Sequence, residues 1–238
     1  MSIFRFKQFA LAQDRCAMKI GTDGVLLGAW ASCEEANTIL DIGTGTGLIA
    51  LMLAQRNLLA KIDAVEINAD AAQQATENMQ QSPWANRLTV FTSSLQIFAQ
   101  EKKAKKYDLI VSNPPFFSNS LHSPKSKSRN QARHTDTLSF SDLLLYTSQL
   151  LSLDGHFCLI LPCKQASQIE EMAFDYDLFC EKKLFIYPKK TKKANRCLLQ
   201  FSRHAKKQLH TEILILRDAS NKYTKDYQQL TCQFHPMY

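Results

Sequence analysis

The sequence predicts an α/β fold: a mostly parallel sheet with helices on both faces and an antiparallel edge. Three observations predict it. Short apolar runs alternate with stretches of helix formers, the pattern of a parallel sheet whose strands are buried on both sides. A glycine-rich stretch, Asp41-Ile-Gly-Thr-Gly-Thr-Gly47, falls between the first of these runs and the first helical stretch. The last two or three runs follow one another too closely for helices to lie between them, so they are expected to pair antiparallel at one edge.

Thr38–Ile42 (TILDI) reads as a short buried strand that runs into the glycines, and 48–55 then has helical character. Residues 61–67 (KIDAVEI) form the second strand, and Ala69–Gln80, rich in helix formers and followed by Pro83, the second helix. Residues 88–91 and 95–100 give a third strand and a short helix. Tyr107–Ser112 (YDLIVS) is a fourth strand, stopped by Pro114 and Pro115. Residues 140–151 carry apolar side chains at helical spacing, Asp154-Gly155 reads as a turn, and 156–161 (HFCLIL) is a fifth strand. Residues 165–175 are expected to be helical, and 183–187, 196–203 and 211–217 to be strands. No repeat and no Gly/Ser linker divides the chain. A single domain over 1–238 is expected, with 38–238 as its core and 1–37 packing over the ligand side.

Of the 238 residues, 45% are hydrophobic and 21% charged, too apolar for a disordered chain. No apolar run reaches the roughly 18 residues of a membrane span, and Arg5, Lys7, Asp14 and Arg15 interrupt the N-terminus, so neither a membrane anchor nor a secretory signal is expected. Seven cysteines, none in a Cys-x-x-Cys pair, argue against a disulfide scaffold and against a structural zinc site. No metal is expected, and a reducing cytoplasm fits. The net charge of +7 hides a segregation. Eight Lys/Arg and one acid lie between Lys102 and His134, and ten Lys/Arg and no acid between Lys182 and Lys207. An acidic body with two basic stretches points to a polyanionic partner, and nucleic acid is the better reading than solvated lysine alone.

Glycines at 43, 45 and 47 let the backbone turn sharply and approach a ligand. Glu66 ends the next strand, 19 residues after Gly47, where a carboxylate can accept both hydroxyls of a ribose. Loop, strand context and acid together point to an adenosine-containing ligand. The dinucleotide fingerprint is Gly-x-Gly-x-x-Gly; here the spacing is Gly-x-Gly-x-Gly and residue 48 is Leu. Asp41 at the loop's entrance would repel a pyrophosphate and attract an ammonium group. These features resemble the first two motifs of class I S-adenosylmethionine-dependent methyltransferases, whose Rossmann-like fold has a seven-stranded, mostly parallel sheet. The resemblance implies S-adenosyl-L-methionine as cofactor, leaving as S-adenosyl-L-homocysteine. It places Ser94, followed by Leu95, where that superfamily usually carries an acid for the adenine amino group.

Asn113-Pro114-Pro115-Phe116 follows the fourth strand and resembles the Asn-Pro-Pro-aromatic motif of methyltransferases that modify a nitrogen conjugated to a planar ring or amide. An exocyclic amine on adenine is a poor nucleophile because its lone pair is delocalised. The Asn113 side-chain oxygen and the Pro114 carbonyl can accept its two N–H groups, which aims the nitrogen and reduces that delocalisation. Prolines 114 and 115 stiffen the loop, and Phe116 offers a face for base stacking worth roughly 1–3 kcal/mol. A base in folded RNA must swing out to reach the loop. Lys125, Lys127, Arg129 and Arg133, directly downstream, can hold neighbouring phosphates, with Lys182–Lys207 as a second contact at the sheet's far edge. His134 reads as a phosphate or water contact rather than an acid or base.

Met18-Lys-Ile-Gly-Thr-Asp-Gly-Val-Leu-Leu-Gly28 resembles the segment that precedes the first strand in the bacterial tRNA1(Val) adenine-37 N6-methyltransferases. The resemblance extends over nearly the whole chain. It implies methyl transfer to the N6 amine of a tRNA adenine by a monomer, with Lys19, Thr22 and Asp23 beside the methionine end of the cofactor; Thr22 or Asp23 also reads as a helix N-cap. The residues leave other readings open: methylation of a guanine N2 in ribosomal RNA or of a glutamine amide in a release factor, a non-catalytic RNA-binding module, and an NAD-dependent oxidoreductase, the last disfavoured by the glycine spacing and by Asn-Pro-Pro-Phe.

Overall fold

In a computed structural model, residues 3–16, 18–115, 138–206 and 208–235 are described. A two-stranded hairpin, β1 (Ile3–Arg5) and β2 (Ala10–Ala12), precedes α1 (Thr22–Trp30). The alternating part follows: β3 (Thr38–Ile42), α2 (Leu48–Arg56), β4 (Lys61–Glu66), α3 (Ala69–Gln80), β5 (Leu88–Thr92), α4 (Leu95–Glu101) and β6 (Tyr107–Ser112). Beyond residue 137 come α5 (Phe140–Leu150), β7 (Leu151–Pro162), α6 (Cys163–Ala173), β8 (Phe179–Lys189), β9 (Arg196–Ser202), β10 (His210–Arg217) and α7 (Lys225–Thr231).

The main sheet has the order β10-β8-β9-β7-β6-β3-β4-β5. The expected seven-stranded framework is there, and β10 extends it by an eighth strand. Of the three last strands only β9 is antiparallel to its neighbours, β7 and β8; β10 pairs parallel with β8. Topology explains the difference from an all-antiparallel edge. Both sides of β9 are occupied, and β9 returns the chain to the amino-terminal edge. The next strand has only the free side of β8 to use and runs the same way as β8.

Neighbouring residues of the central strands point to opposite faces, and both faces are buried. Ile39, Ile62, Ala64, Leu109, Val111 and Ile160 pack under α1 and α2. Leu40, Ile42, Val65, Ile110, Leu159 and Leu161 pack under α4, α5 and α6. The Asp154-Gly155 turn is a bulge within β7: the step from Tyr107 to Leu109 is matched by the step from Leu151 to His156. A Cβ on Gly155 would lie 2.8 Å from the Tyr107 carbonyl oxygen and 2.7 Å from Ser152 Oγ, so only glycine fits. Among the described residues no helix is long and apolar enough to cross a membrane.

The N-terminal segment is tied to α3. Asn78 accepts from Ala12 N–H through Oδ1 and donates through Nδ2 to the carbonyls of Ala12 and Thr46, 2.8–2.9 Å each. Gln74 Oε1 accepts from Arg15 N–H. The residues between β2 and α1 are thereby held beside the glycine loop. The cap of α1 is Gly21, with no side-chain bond, rather than Thr22 or Asp23, which are its first two residues.

Candidate active site

The carboxyl ends of β3, β4 and β6 converge on a cavity of about 580 Å³, a size ordinary for small-molecule sites. The glycine loop forms one side. Gly43, Gly45 and Gly47 have φ of 71°, 56° and 83°, a region that side chains with a Cβ disfavour. The loop is pinned by N–H bonds from Gly43 and Thr44 to the Val65 carbonyl, at 2.8 and 3.1 Å. A Cβ at Gly43 or Gly45 would meet nothing within 4 Å, so both present bare backbone to the cavity. Gly47 does a different job. It is not among the lining residues, and a Cβ there would stand 3.1 Å from Met79 Cε, so it lets α3 pack closely on the loop.

Glu66 lines the cavity and braces it. Its Oε2 accepts from Gly45 N–H and its Oε1 from Asn68 N–H, both at 2.9 Å. Asn68 in turn caps α3, its side chain accepting from Ala71 N–H. Asp41 lies beneath the loop, fully buried, and is not among the lining residues. Its Oδ2 accepts from Thr44 Oγ1 at 2.6 Å, while among the described residues Oδ1 has no hydrogen-bond partner. Burial pushes its carboxyl up to about 7; Thr44 and the Ala50 N–H pull the other way, and the Glu66 charge adds to the rise.

Asn113, Pro114 and Pro115 stand at the end of β6 and line the cavity. Ser112 Oγ donates to the Ile42 carbonyl at 3.0 Å and locks this strand end to the glycine strand. Among the described residues the buried Asn113 Oδ1 has no hydrogen-bond partner. A buried amide oxygen without a donor costs about 1–3 kcal/mol. On a residue that lines the cavity, such an acceptor is satisfied by an incoming N–H that reaches it. Nδ2 of the same amide lies 3.9 Å from where a Gly24 Cβ would be, and that Cβ would be 3.0 Å from Leu48 Cδ2. The glycine at 24 therefore lets α1 pack closely on Leu48 of α2, with the Asn113 amide at ordinary contact distance.

Residues 16 and 18–24 form another wall. Lys19 Nζ donates to the Gln13 carbonyl at 2.6 Å, and Gln13 Oε1 accepts from Ile20 N–H. Asp23 pairs with Arg196 of β9, Nε to Oδ2 at 2.7 Å. Ser94 and Leu95 also line the cavity; Ser94 Oγ accepts from Ile97 N–H as the cap of α4, leaving its own O–H to donate elsewhere.

The structure thus gathers Lys19, Thr22, Gly43, Gly45, Glu66, Ser94, Leu95, Asn113, Pro114 and Pro115 around one cavity. It does not bring Asp41 or Gly47 to its surface. Phe116, Lys125, Lys127, Arg129, Arg133 and His134 lie outside the described residues. Sequence reasoning missed Thr44, Thr46, Asn68, Ser93, Gln96 and Leu138, which also line the cavity. Asn68 carried a signal, an Asx cap directly before α3; Gln96 and Leu138 carried none. Among the described residues no group of His, Cys, Asp and Glu can hold a metal ion.

A doubly wound sheet with β9 reversed, a glycine loop after its first strand and an acid after its second define a class I methyltransferase. The fold is similar to that of a predicted O-methyltransferase from Agrobacterium tumefaciens, with a TM-score of 0.66, 17% identity, and 89% of this chain and 96% of that one covered. Residues 19–134 match the family model described as methyltransferase small domain. A protein from Trichodesmium erythraeum named tRNA1(Val) (adenine(37)-N6)-methyltransferase is 47% identical over 99% of this chain and 98% of its own. Relatives of the same name from Bacteroides fragilis and Photorhabdus laumondii are each 44% identical, covering 98% and 99% of this chain and 97% and 96% of their own. The chain belongs to the tRNA1(Val) (adenine(37)-N6)-methyltransferase family.

Proposed function

We propose that this protein transfers a methyl group from S-adenosyl-L-methionine to the exocyclic N6 amine of adenine 37 in tRNA1(Val), as a single catalytic domain. The observation that carries the chemistry is the unpartnered Asn113 Oδ1, buried at the cavity edge beside Pro114.

The residues present fit the cofactor. Bare backbone at Gly43 and Gly45 allows close approach. Glu66 offers carboxylate oxygens for ribose hydroxyls, and Ser94 and Leu95, which line the same cavity, are the adenine contacts on this reading. Lys19 and Thr22 lie on the wall assigned to the methionine end. Asp41 acts from below by holding Thr44 of the loop. When bound, the cofactor supplies an electrophilic methyl on a sulfonium sulfur.

The protein's own part is positioning and electrostatics. Asn113 Oδ1 accepts one N–H of the target amine and the Pro114 carbonyl the other. Both acceptors draw the lone pair toward the nitrogen and aim it. Pro114 and Pro115 hold those acceptors stiffly, since their φ is fixed. Phe116 stacks on the base, and Lys125, Lys127, Arg129 and Arg133 hold phosphates on either side of it. No strong general base is needed before transfer, because the amine's extra proton leaves afterward to water.

The test is to incubate the protein with labelled S-adenosylmethionine and, separately, tRNA, ribosomal RNA and release factor. Label is expected in tRNA, as N6-methyladenosine. Label confined to ribosomal RNA or to the release factor would refute the assignment in favour of guanine N2 or a glutamine amide. Asn113→Ala is expected to abolish transfer with cofactor affinity nearly unchanged; an active variant would remove that amide from the mechanism.

A further inference from the structure

Among the described residues, most cations of the two basic stretches are engaged rather than left as open basic surface. Lys102, Lys103, Lys105 and Lys106 precede β6, at the amino-terminal edge of the sheet, opposite the cavity. Three of them are engaged there: Lys102 over Phe91, Lys105 with Asp63, Lys106 with the Gln149 carbonyl. Four cations of the second stretch are spent in the same way. Lys183 pairs with Glu170, Lys182 with Glu212 and the Trp30 ring, Arg196 with Asp23, and Arg203 with the Ser148 carbonyl.

Lys206 pairs with Glu181, and among the described residues what remains is the turn between β8 and β9 with the strand end before it, Lys189-Lys-Thr-Lys-Lys193. Lys190, Lys192 and Lys193 are exposed and have no ion-pair partner among the described residues. The turn is built, not loose: Lys192 N–H bonds to the Lys189 carbonyl and Asn195 N–H to the Ile186 carbonyl, both at 3.0 Å. Because β8 runs parallel to the cavity-bearing strands, through the reversed β9, this turn rises from the same carboxyl edge as Asn113. Arg217 is opposite Lys189 on β10 and stacks on Tyr223, extending the positive face. Lys193 is three residues from Arg196, so roughly 10 Å of chain at most separates it from the Arg196–Asp23 pair on the cavity wall. Asp23 is already neutralised by that pair, so it does not oppose a polyanion.

We propose that the β8–β9 turn, through Lys190, Lys192 and Lys193, is a phosphate-gripping platform that holds the substrate RNA's backbone while the target base enters the cavity. This rests on the RNA-methylating function proposed above. Unneutralised lysines repel one another, and a phosphodiester backbone beside the site is what relieves that repulsion. A platform on the same edge as the catalytic loop fixes the RNA's orientation without reading its sequence.

The test is the triple variant Lys190→Ala/Lys192→Ala/Lys193→Ala against wild type and a control, Lys61→Ala/Lys103→Ala, which alters two exposed lysines at the opposite edge. Binding of tRNA is followed from low to high salt, together with methylation kinetics and S-adenosylhomocysteine affinity. The triple variant is expected to lose tenfold or more in tRNA affinity near physiological salt. Its slope of log K on log salt should flatten by about 2–3. KM for tRNA should rise while cofactor affinity and the control stay level. If wild type methylates tRNA and the triple variant matches it in slope and KM, the platform is overturned and the function stands. If wild type neither binds nor labels tRNA, the function itself fails and the platform with it. An equal loss in the control variant would also overturn the inference, since it would reduce the effect to net charge.

Discussion

Glu66 is bonded directly to Gly45: its Oε2 accepts the Gly45 N–H at 2.9 Å while Oε1 accepts from Asn68 at the same distance. One carboxylate therefore holds the glycine loop and the entry of α3 together, and both bonds are charge-assisted. Glutamine at this position keeps one oxygen and turns an NH2 toward one of the two N–H donors. Glu66→Gln is expected to weaken S-adenosylhomocysteine binding about 10- to 100-fold, consistent with roughly 1.5–3 kcal/mol for a hydrogen bond to a charged group. Calorimetric titration measures it, and an unchanged affinity would strike Glu66 from the cofactor's partners.

Gly43 and Gly47 separate two reasons for a glycine. Both have positive φ, so alanine at either costs about 1–2 kcal/mol from the backbone. At Gly43 the added methyl meets nothing within 4 Å, whereas at Gly47 it presses on Met79 Cε at 3.1 Å and Ala75 Cβ at 3.6 Å. Gly47→Ala is expected to lower the urea midpoint more than Gly43→Ala, by the additional displacement of Met79. Conversely, Gly43→Ala is expected to harm cofactor binding more, since Gly43 lines the cavity. Equal midpoints would show that α3 yields to the methyl without cost.

The sheet was legible where a strand is buried on both faces. Thr38–Ile42 and Tyr107–Ser112 were read to the residue, because continuous apolar runs ending at glycine or proline leave no other element to fit. Strand direction at the edge was not, since pairing partners of β8, β9 and β10 depend on which edges are already occupied, not on local pattern. The β1–β2 hairpin escaped notice because three-residue strands are too short to show a period, and α7 because only Tyr227 and Leu230 of its seven residues are apolar. In the site, Gly43, Glu66 and Asn113 announced themselves by motif and strand position. Asn68 and Gln96 reach the cavity from the cap of α3 and the first turn of α4, and the direction in which a helix leaves its strand is set by tertiary packing. Charge counting along the chain misled most. Lys102–Lys106 and Asn113–Pro115 are close in sequence, yet β6 carries them to opposite ends of the sheet.

Asp41 gives the fold a pH dependence of defined sign. Burial raises its carboxyl from 3.8 to about 7, so between these values the folded protein keeps a proton that the unfolded chain releases. Its contribution to stability is therefore fully present below about pH 4, diminishes as pH rises, and levels off above about 7. Asparagine has a similar shape, can still accept from Thr44 Oγ1, and does not titrate. Glu34 and Glu212 shift downward and contribute with the opposite sign, but they are present in both proteins and cancel in the difference. The unfolding free energy of wild type minus that of Asp41→Asn is thus expected to fall steadily from pH 4 to 7 and then stay flat, measured by urea unfolding at a series of pH values. A difference that is constant across this range would mean that Asp41 is ionised throughout, with its buried Oδ1 compensated by the loop.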